Sequence, residues 1–212
     1  AQIKENAMRL RWWHLLRPVW PRQGFFSFDL MERWLVRTLG DLSFSDLKIP
    51  FTAVATDLER AAPVWLRQGR LAPAVRASCS VPGIFTPVHL DGLVLGDGSL
   101  ADTVPVDVLR LMGAQYVIGV DIFIASIRRG WGAFGMGVNA LEILVERAGG
   151  GIDRADCLIA PALRGESYVR FSQRERIYRL GEQAAREKLP AILRDLERLG
   201  QREELEMDRL RS

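Results

Sequence analysis

Residues 82–99 read PGIFTPVHLDGLVLGDGS, and this stretch decides the fold around it. Asp91-Gly92 separates two apolar runs, which is a strong signal for a two-residue hairpin turn because both residues tolerate a positive φ. The second strand of the hairpin then ends at Asp97-Gly98-Ser99. The hairpin therefore presents the carboxylate of Asp97 at a fixed place, where Gly98 allows another group to approach the backbone closely. Two interpretations follow: Asp97 is a catalytic base, or Asp97-Gly98 is a second turn without a chemical role.

Several blocks of sequence stand in a fixed order around this turn. They are residues 51–58 (FTAVATDL), 74–85 (AVRASCSVPGIF), 97–99 (DGS), 105–107 (PVD) and 111–121 (LMGAQYVIGVD). In order and spacing these blocks resemble the C-terminal half of the patatin-like phospholipases, above all the bacterial members of that family. The resemblance covers residues 30–121 well and residues 155–199 more loosely.

This resemblance implies a serine–aspartate dyad on an α/β sheet. In that family a serine in a G-x-S-x-G turn attacks a lipid ester carbonyl, and the aspartate of a D-G-G or D-G-A turn takes the serine proton. A glycine-rich loop supplies N–H groups to the oxyanion. Only the aspartate has a counterpart here, at Asp97, with Gly98 shaping the turn. Ser99 departs from the family pattern, and its hydroxyl is able to hydrogen-bond locally and change how Asp97 is presented.

The nucleophile half of that pattern is missing from the sequence. The 212 residues contain no G-x-S-x-G and no N-terminal glycine-rich loop, and the first residue is Ala1. We therefore expect a patatin-like layered α/β sheet truncated on its N-terminal side. Residues 1–112 would be the C-terminal part of the catalytic domain, and residues 113–212 its last core strands and C-terminal helices. The chain alone is expected to be inactive.

Hydrophobic periodicity predicts the elements on either side of the turn. Helices are predicted over residues 28–39, 73–78 and 103–113, and strands over residues 51–55, 64–66 and 157–160. Residues 116–124 are nearly all apolar, which predicts a parallel strand covered on both faces. With the preceding strand and helix it would complete a βαβ unit. An apolar stripe from Ser172 onward predicts a helical tail that is kinked or divided at Pro190.

Composition narrows the class of protein. The chain is 48% hydrophobic and 26% charged, which suits one globular domain with a sizeable core. Its net charge is +3, with acidic and basic residues interspersed, so no cationic stripe for nucleic acid is predicted. Cys79 and Cys157 are far apart, which predicts reduced thiols and no disulfide. No apolar stretch reaches about 18 residues, so we expect a cytoplasmic or peripheral membrane protein.

The N-terminal segment combines arginines with aromatic residues. Only Glu5 stands near the basic and aromatic group Arg9, Arg11, Arg17, Arg22, Trp12, Trp13, Trp20, Phe25 and Phe26. One interpretation is that the segment makes transient contact with a membrane surface. Alternatively, its aromatic side chains pack a core whose other half lies outside the chain. Both interpretations stay open from the sequence.

Other residues are weaker candidates for chemistry. Ser78 and Ser80 are expected to support the wall of the site, because neither stands on a nucleophile turn. His14 and His89 suggest a Ser-His-Asp triad, but a histidine on a hairpin is usually a surface or core residue. The pattern Gly130-x-Gly132-x-x-Gly135 matches a dinucleotide fingerprint, yet its distance from the preceding strand favours a loop bordering the lipid entrance. No metal-ligand spacing occurs, and no cofactor is predicted.

The resemblance thus predicts a lipid acyl hydrolase that acts on a lipid or other acyl ester, with Asp97 as proton acceptor and no nucleic-acid partner. The alternative is a non-catalytic interaction module that kept the fold and lost the dyad. A nucleotide-binding domain built on the Gly130 region is a third, weaker reading.

Overall fold

A computed structural model of the chain describes residues 2–11, 14–123, 132–148, 150–163 and 173–211. The helices are α1 (Gln2–Arg9), α2 (Asp29–Leu39), α3 (Leu71–Ser78), α4 (Val106–Leu111), α5 (Gly132–Ala148) and α6 (Arg174–Arg211). The strands are β1 (Arg17–Pro18), β2 (Phe26–Ser27), β3 (Ala53–Asp57), β4 (Ala62–Leu66), β5 (Val88–Leu90), β6 (Leu93–Asp97), β7 (Ile118–Val120) and β8 (Cys157–Ile159). The α/β class predicted from the sequence is confirmed.

The largest sheet is antiparallel, with its strands in the order β4-β3-β6-β5. β3 lies inside this sheet and is buried along its whole length, as its small and β-branched side chains allow. Ala55 of β3 stands directly opposite Asp97 of β6. Asp97 therefore lies beside an inner strand of the sheet, not at an outer edge.

The hairpin predicted at Asp91-Gly92 is confirmed. Asp91 has φ +50° and Gly92 has φ +77°, so both turn residues adopt the left-handed conformation that the Asp-Gly pair favours. The turn sets the register of β5 against β6, with Val88 opposite Leu95. That register fixes which side chains of β6 face the same side as Asp97, because alternate residues share a face.

α3 covers the face of the sheet on which Asp97 lies. Ala77 of α3 packs with Ala55, Val88 and Leu95, and each of these four side chains is at most 2% exposed. Alanines at the contact allow the helix to approach the sheet closely. Since Ala55 pairs with Asp97 and Leu95 precedes it by two residues, Asp97 shares this covered face.

The predicted helices hold, with shifted boundaries. α2 ends at Leu39, and Gly40 follows with φ +93°. α3 starts at Leu71, two residues before the predicted start. α4 is shorter than the predicted helix over residues 103–113 because it begins after Pro105, whose backbone lies outside the helical region. Gly113, with φ +92°, follows its C-terminal end.

The prediction for residues 116–124 was partly wrong. β7 is parallel, as expected, but it spans only Ile118–Val120 and pairs with β8. The parallel crossover is thus β7-α5-β8, whereas β6 belongs to the antiparallel sheet. Nor is β7 covered on both faces: Ile118 is 42% exposed and Val120 is 53% exposed, while Val117 beside them is buried. Within the described residues, one face of this pair is open to solvent.

α6 passes through Pro190 as one helix, so a division into two helices at that proline was wrong. Its inner face packs through Ile192 on Cys157 and Ile159 of β8. The Tyr116 hydroxyl adds a hydrogen bond to Asp195 at 3.1 Å. Among the described residues, no helix combines the length and apolar character needed to cross a membrane.

One apolar cluster, formed by Val104, Val106 and Val117, joins the two sides of residue 112. The predicted division of the chain into residues 1–112 and 113–212 stays a prediction.

Candidate active site

The main chain of Asp97 is held from two directions. Its N–H donates to the carbonyl oxygen of Ser80 at 2.9 Å, and its own carbonyl oxygen accepts from the Thr56 hydroxyl at 2.7 Å. Thr56 lies on the neighbouring strand β3, and Ser80 lies in the loop that follows α3. These bonds tie the end of β6 to both the sheet and the loop, so the position of the aspartate is fixed by its backbone.

The carboxylate of Asp97 caps the short 3₁₀ turn Gly98–Leu100 that follows β6. Its Oδ1 accepts a hydrogen bond from the Ser99 N–H at 2.9 Å. Asp is a favoured residue at such a position because its side chain satisfies an otherwise unpaired N–H. The cap fixes the orientation of the side chain through this oxygen.

Gly98 is required by a close approach of two backbones. A Cβ placed on Gly98 would lie 2.2 Å from the carbonyl oxygen of Val54, a distance that no side chain tolerates. The same carbonyl oxygen accepts the hydroxyl of Ser78 at 2.6 Å. The D-G-S turn is therefore pressed against β3, and any larger residue at its centre would push the turn and Asp97 outward.

Burial raises the pKa of the Asp97 carboxyl, and the hydrogen bonds from the Ser99 side chain and main chain oppose part of that rise. Cys79 is accessible to solvent, yet the protein packed around its thiol raises its pKa to about 11, with a smaller contribution from the negative charge of Asp97. The thiol and the carboxylate are thus electrostatic neighbours. The thiol stays protonated at neutral pH, while the carboxylate becomes a stronger base than an exposed aspartate.

The hydroxyl groups of Ser78 and Ser80 form hydrogen bonds with backbone carbonyls. Ser78 donates its hydroxyl to Val54, and Ser80 donates its hydroxyl to the carbonyl oxygen of Arg76 at 2.8 Å. Both hydroxyl protons are therefore directed at backbone carbonyls and away from Asp97. The geometry fits the predicted role of these serines as parts of the wall, and it gives neither the arrangement of an activated nucleophile.

The two histidines do not join Asp97 in a triad. His89 is exposed on β5 and stands opposite Val94, so it faces the side of the sheet opposite to Asp97. His14 is exposed and precedes β1.

The described residues contain no group of three or more His, Cys, Asp or Glu that would hold a metal ion. The pattern that begins at Gly130 falls partly outside the described residues. Gly132 and Gly135 lie in α5, so the prediction of a loop was wrong for these two residues.

A second carboxyl lies one turn beyond the D-G-S turn. The Asp102 N–H donates to the Gly98 carbonyl oxygen at 2.9 Å, and burial raises the pKa of the Asp102 carboxyl. Its Oδ1 is buried without a hydrogen-bond partner, against the backbone of Gly150. Gly151, with φ +77°, packs still more closely on its neighbour: a Cβ there would lie 1.9 Å from the Val104 carbonyl oxygen. Here Gly150-Gly151 acts as a tightly packed support behind the turn.

The sequence reasoning missed Thr56 and Cys79. Thr56 belongs to the block FTAVATDL, but nothing in that block alone shows which strand it would join. Cys79 follows α3 and comes near Asp97 only because the Ser80 carbonyl accepts the Asp97 N–H. Both contacts join residues far apart in sequence, so no local sequence signal could have found them.

An apolar hollow of about 30 Å³ lies between α2 and α3, lined by residues that include Leu35, Leu71 and Val75. It holds roughly one water molecule and is too small for an acyl chain. The described residues around Asp97 thus supply a fixed carboxylate and a rigid wall. The fold and this turn define an α/β protein that holds the Asp97 carboxylate in a fixed place at the end of β6.

The family model for patatin-like phospholipases matches residues 2–110, and the chain belongs to that family. An uncharacterized NTE family protein of Mycobacterium tuberculosis is 38% identical over 84 residues, which are 40% of this chain and 23% of that protein. Neuropathy target esterase sws of Drosophila melanogaster is 31% identical over 125 residues, 57% of this chain and 9% of that protein.

Human patatin-like phospholipase domain-containing protein 6 is 32% identical over 114 residues, 51% of this chain and 8% of that protein. The chain therefore spans less than a quarter of the length of these relatives. The family predicted from the order of the sequence blocks is confirmed.

Proposed function

We propose that the protein containing this chain hydrolyses ester bonds of lipid acyl groups, and that Asp97 is its general base. The observation that carries the proposal is the environment of Asp97: a half-buried carboxylate with a raised pKa, fixed on a D-G-S turn by Gly98 and Ser99. Membership of the patatin-like family supports the lipid ester as the substrate class.

In the proposed reaction, Asp97 accepts the proton of a serine hydroxyl as the serine oxygen bonds to the ester carbonyl carbon. The tetrahedral intermediate collapses, the C–O bond to the alcohol breaks, and Asp97 returns the proton to the departing alkoxide. Water then attacks the acyl-serine and gives its proton to Asp97. That proton returns to the serine oxygen as the fatty acid leaves. The reaction needs no cofactor.

The raised pKa suits this role. An exposed aspartate is a weak base at neutral pH, and a pKa nearer the working pH makes proton transfer from serine less costly. The fixed main chain of Asp97 adds a second advantage, because a base that is already oriented needs no reorganisation during the reaction. Donors for the oxyanion, like the serine, are proposed to come from sequence outside residues 1–212, which contain no G-x-S-x-G.

The test uses the full-length gene product and a short-chain p-nitrophenyl ester. Asp97→Asn should lower kcat/KM at least about a hundredfold, the usual scale for losing a general base. Asp91→Asn is the matched control, because Asp91 is exposed at the hairpin tip and Asn tolerates its positive φ. Equal activity of Asp97→Asn and wild type would overturn the proposal. The 212-residue chain alone should show no turnover.

The second candidate function is a non-catalytic module, and Ser99 is the observation that favours it. Ser99 stands where the family pattern has Gly or Ala, and its hydrogen bonds lower the basicity of Asp97. Ser99→Gly in the full-length protein separates the two functions. A hydrolase is active before the change and keeps its activity after it. A module that has lost the dyad is inactive before the change and stays inactive after it.

A further inference from the structure

The β1–β2 hairpin ends in an exposed tryptophan. Trp20 is 81% exposed, and Phe25 on the returning arm is 44% exposed. Two main-chain hydrogen bonds order the tip: the Val19 N–H donates to Phe25 at 3.0 Å, and the Arg22 N–H donates to Trp20 at 2.8 Å. The indole is therefore presented to solvent by an ordered turn.

The base of this hairpin is locked to the segment that follows the Ser80 loop. The Phe25 N–H donates to the carbonyl oxygen of Ile84, and the Thr86 N–H donates to that of Phe26, each at 2.9 Å. A Cβ on Gly24 would lie 2.5 Å from the backbone carbon of Phe85, so the two backbones are in direct contact. The hairpin is a rigid extension of the loop that also binds Asp97 through Ser80.

The aromatic residues of the N-terminal segment thus lie in two different environments. Phe28 is buried and stacks on Phe85 with ring centroids 3.8 Å apart. Trp20 is excluded from that cluster by its place at the tip. Phe28 thus packs a core within this chain, whereas Trp20 is exposed and is available for a surface contact.

The charged residues of the N-terminal segment are almost all basic. Residues 6–28 contain four arginines and no aspartate, glutamate or lysine. Arg17 is neutralised by Asp29 at 2.9 Å, whereas Arg22 belongs to the exposed tip beside Trp20. An indole next to a guanidinium is the combination that binds at a bilayer interface, where the ring sits among the headgroups and the cation meets lipid phosphate.

We propose that the tip from Trp20 to Arg22 is a membrane anchor that binds the surface of anionic phospholipid bilayers. This inference rests on the proposed lipid-directed function for its purpose, since the anchor would bring the Asp97 loop to its substrate. A bilayer is favoured over a second copy of the chain because the exposed Trp20 indole and the exposed, cationic Arg22 complement an anionic bilayer surface. A stable protein interface needs about 1,000 Å² of buried surface, which one protruding tryptophan does not provide.

The experiment is flotation of the 212-residue chain with vesicles of phosphatidylcholine containing phosphatidylglycerol as the minor component. Binding requires no turnover, so the chain can be used as it is. Trp20→Ala should weaken binding about tenfold, and Arg22→Gln should weaken binding to the anionic vesicles and leave binding to pure phosphatidylcholine unchanged. Thermal unfolding of each variant should match wild type, because neither side chain is buried.

Trp65→Ala is the matched control. Trp65 is 39% exposed, carries the Arg67 guanidinium 5.3 Å from its ring, and lies on β4, the edge strand farthest from β5. It offers the same chemistry at another place, and its removal should leave binding unchanged. Three results would overturn the anchor: no binding by wild type, equal losses in both tryptophan variants, or a dimer in solution that Trp20→Ala dissociates.

The experiments distinguish a failure of the membrane-anchor proposal from a failure of the proposed function. Vesicle binding without esterase activity in the full-length protein contradicts the function and leaves the anchor intact. Hydrolysis of a soluble ester without vesicle binding contradicts the anchor alone. In the full-length protein, Trp20→Ala should reduce hydrolysis of vesicle lipid and leave hydrolysis of the soluble ester at the wild-type rate. A parallel loss of both activities would overturn the anchor.

Discussion

The Thr56 hydroxyl donates a hydrogen bond to the main-chain carbonyl oxygen of Asp97, 41 residues away, at 2.7 Å. Thr56 is only 5% exposed, so this bond is formed inside the protein. It fixes the last peptide of β6 against β3, directly before the turn that carries the carboxylate. A buried residue without an ionisable group thereby helps to orient the candidate base.

Thr56→Val removes this hydroxyl with little change in shape. We expect the free energy of unfolding to fall by about 1 kcal/mol, the usual value of one buried hydrogen bond. Urea unfolding at neutral pH measures it. The control is Thr52→Val, because the Thr52 hydroxyl bonds only to the sulfur of Met112, a weak acceptor. An equal loss in the two variants would mean that the bond to Asp97 has no special strength.

Gly98→Ala should be among the most damaging small substitutions in the chain. The added methyl group would lie 2.2 Å from the Val54 carbonyl oxygen, so the turn must move away from β3. We expect a loss of about 3 kcal/mol of stability, the upper part of the range for overpacking. Denaturant unfolding followed by circular dichroism gives the value.

The same change elsewhere serves as the control for Gly98. Gly137 lies on an exposed face of α5, and its added Cβ would meet no atom within 4 Å. Gly137→Ala should therefore raise stability, by up to about 1 kcal/mol, because alanine favours the helix. If Gly98→Ala were as well tolerated as Gly137→Ala, the contact between the turn and Val54 would not exist in solution.

Asp97→Asn should stabilise the protein at neutral pH. Burial raises the pKa of Asp97, so its contribution to stability is full below the unfolded pKa and is lost as the pH rises through the folded pKa. Asparagine removes the buried charge and keeps an oxygen for the Ser99 N–H. We expect a gain of about 1 kcal/mol near neutral pH. The gain should disappear on acidification, which urea unfolding across a pH series would reveal.

The pH dependence of stability expected from Asp57 has the opposite sign to that expected from Asp97. Its buried carboxylate accepts from the Arg60 guanidinium at 2.6 Å, and this hydrogen bond lowers the pKa of Asp57. The stability it contributes is present above the unfolded pKa and is lost as the pH falls through the folded pKa. Asp57→Asn should therefore destabilise the protein at neutral pH and have less effect in acid. A pH dependence of the same sign for both aspartates would contradict the environment described for Asp97.

Cys79 reports on the charge of Asp97 without any need for turnover. Cys157 is buried, so Cys79 is the accessible thiol. Burial and the Asp97 charge raise its pKa to about 11, and Asp97→Asn removes the second cause. We expect alkylation by iodoacetamide at about pH 9 to become several times faster, since the thiolate is the reactive form. Intact-mass spectrometry follows the rate, with Cys157→Ala as background.

An unchanged alkylation rate in Asp97→Asn would mean that the thiol and the carboxylate are not neighbours. Cys79→Ser should abolish labelling in both backgrounds, which confirms that the signal belongs to this cysteine.

Predictions from sequence succeeded where the signal was local and failed where it was not. The Asp91-Gly92 turn and the end of the first predicted helix at Leu39, directly before Gly40, were correct, because positive φ values select a few residue types over a short stretch. The apolar run ending near Ile124 correctly indicated a parallel strand. It did not show that β7 pairs with β8, nor that Ile118 and Val120 face solvent. An apolar sequence records the tendency to be buried and does not record which element covers it.

The sequence by itself determined the family, the hairpin and Asp97 as the candidate base, because each depends on residue types at short, fixed spacing. Only the tertiary structure decided what surrounds that carboxylate: Thr56 and Val54 from β3, and Cys79 and Ser80 from the loop after α3. It also decided that Trp20 stands in solvent while Phe28 is buried. These relations arise when strands and loops distant in sequence compete for the same neighbours, and the outcome depends on the packing of the whole fold.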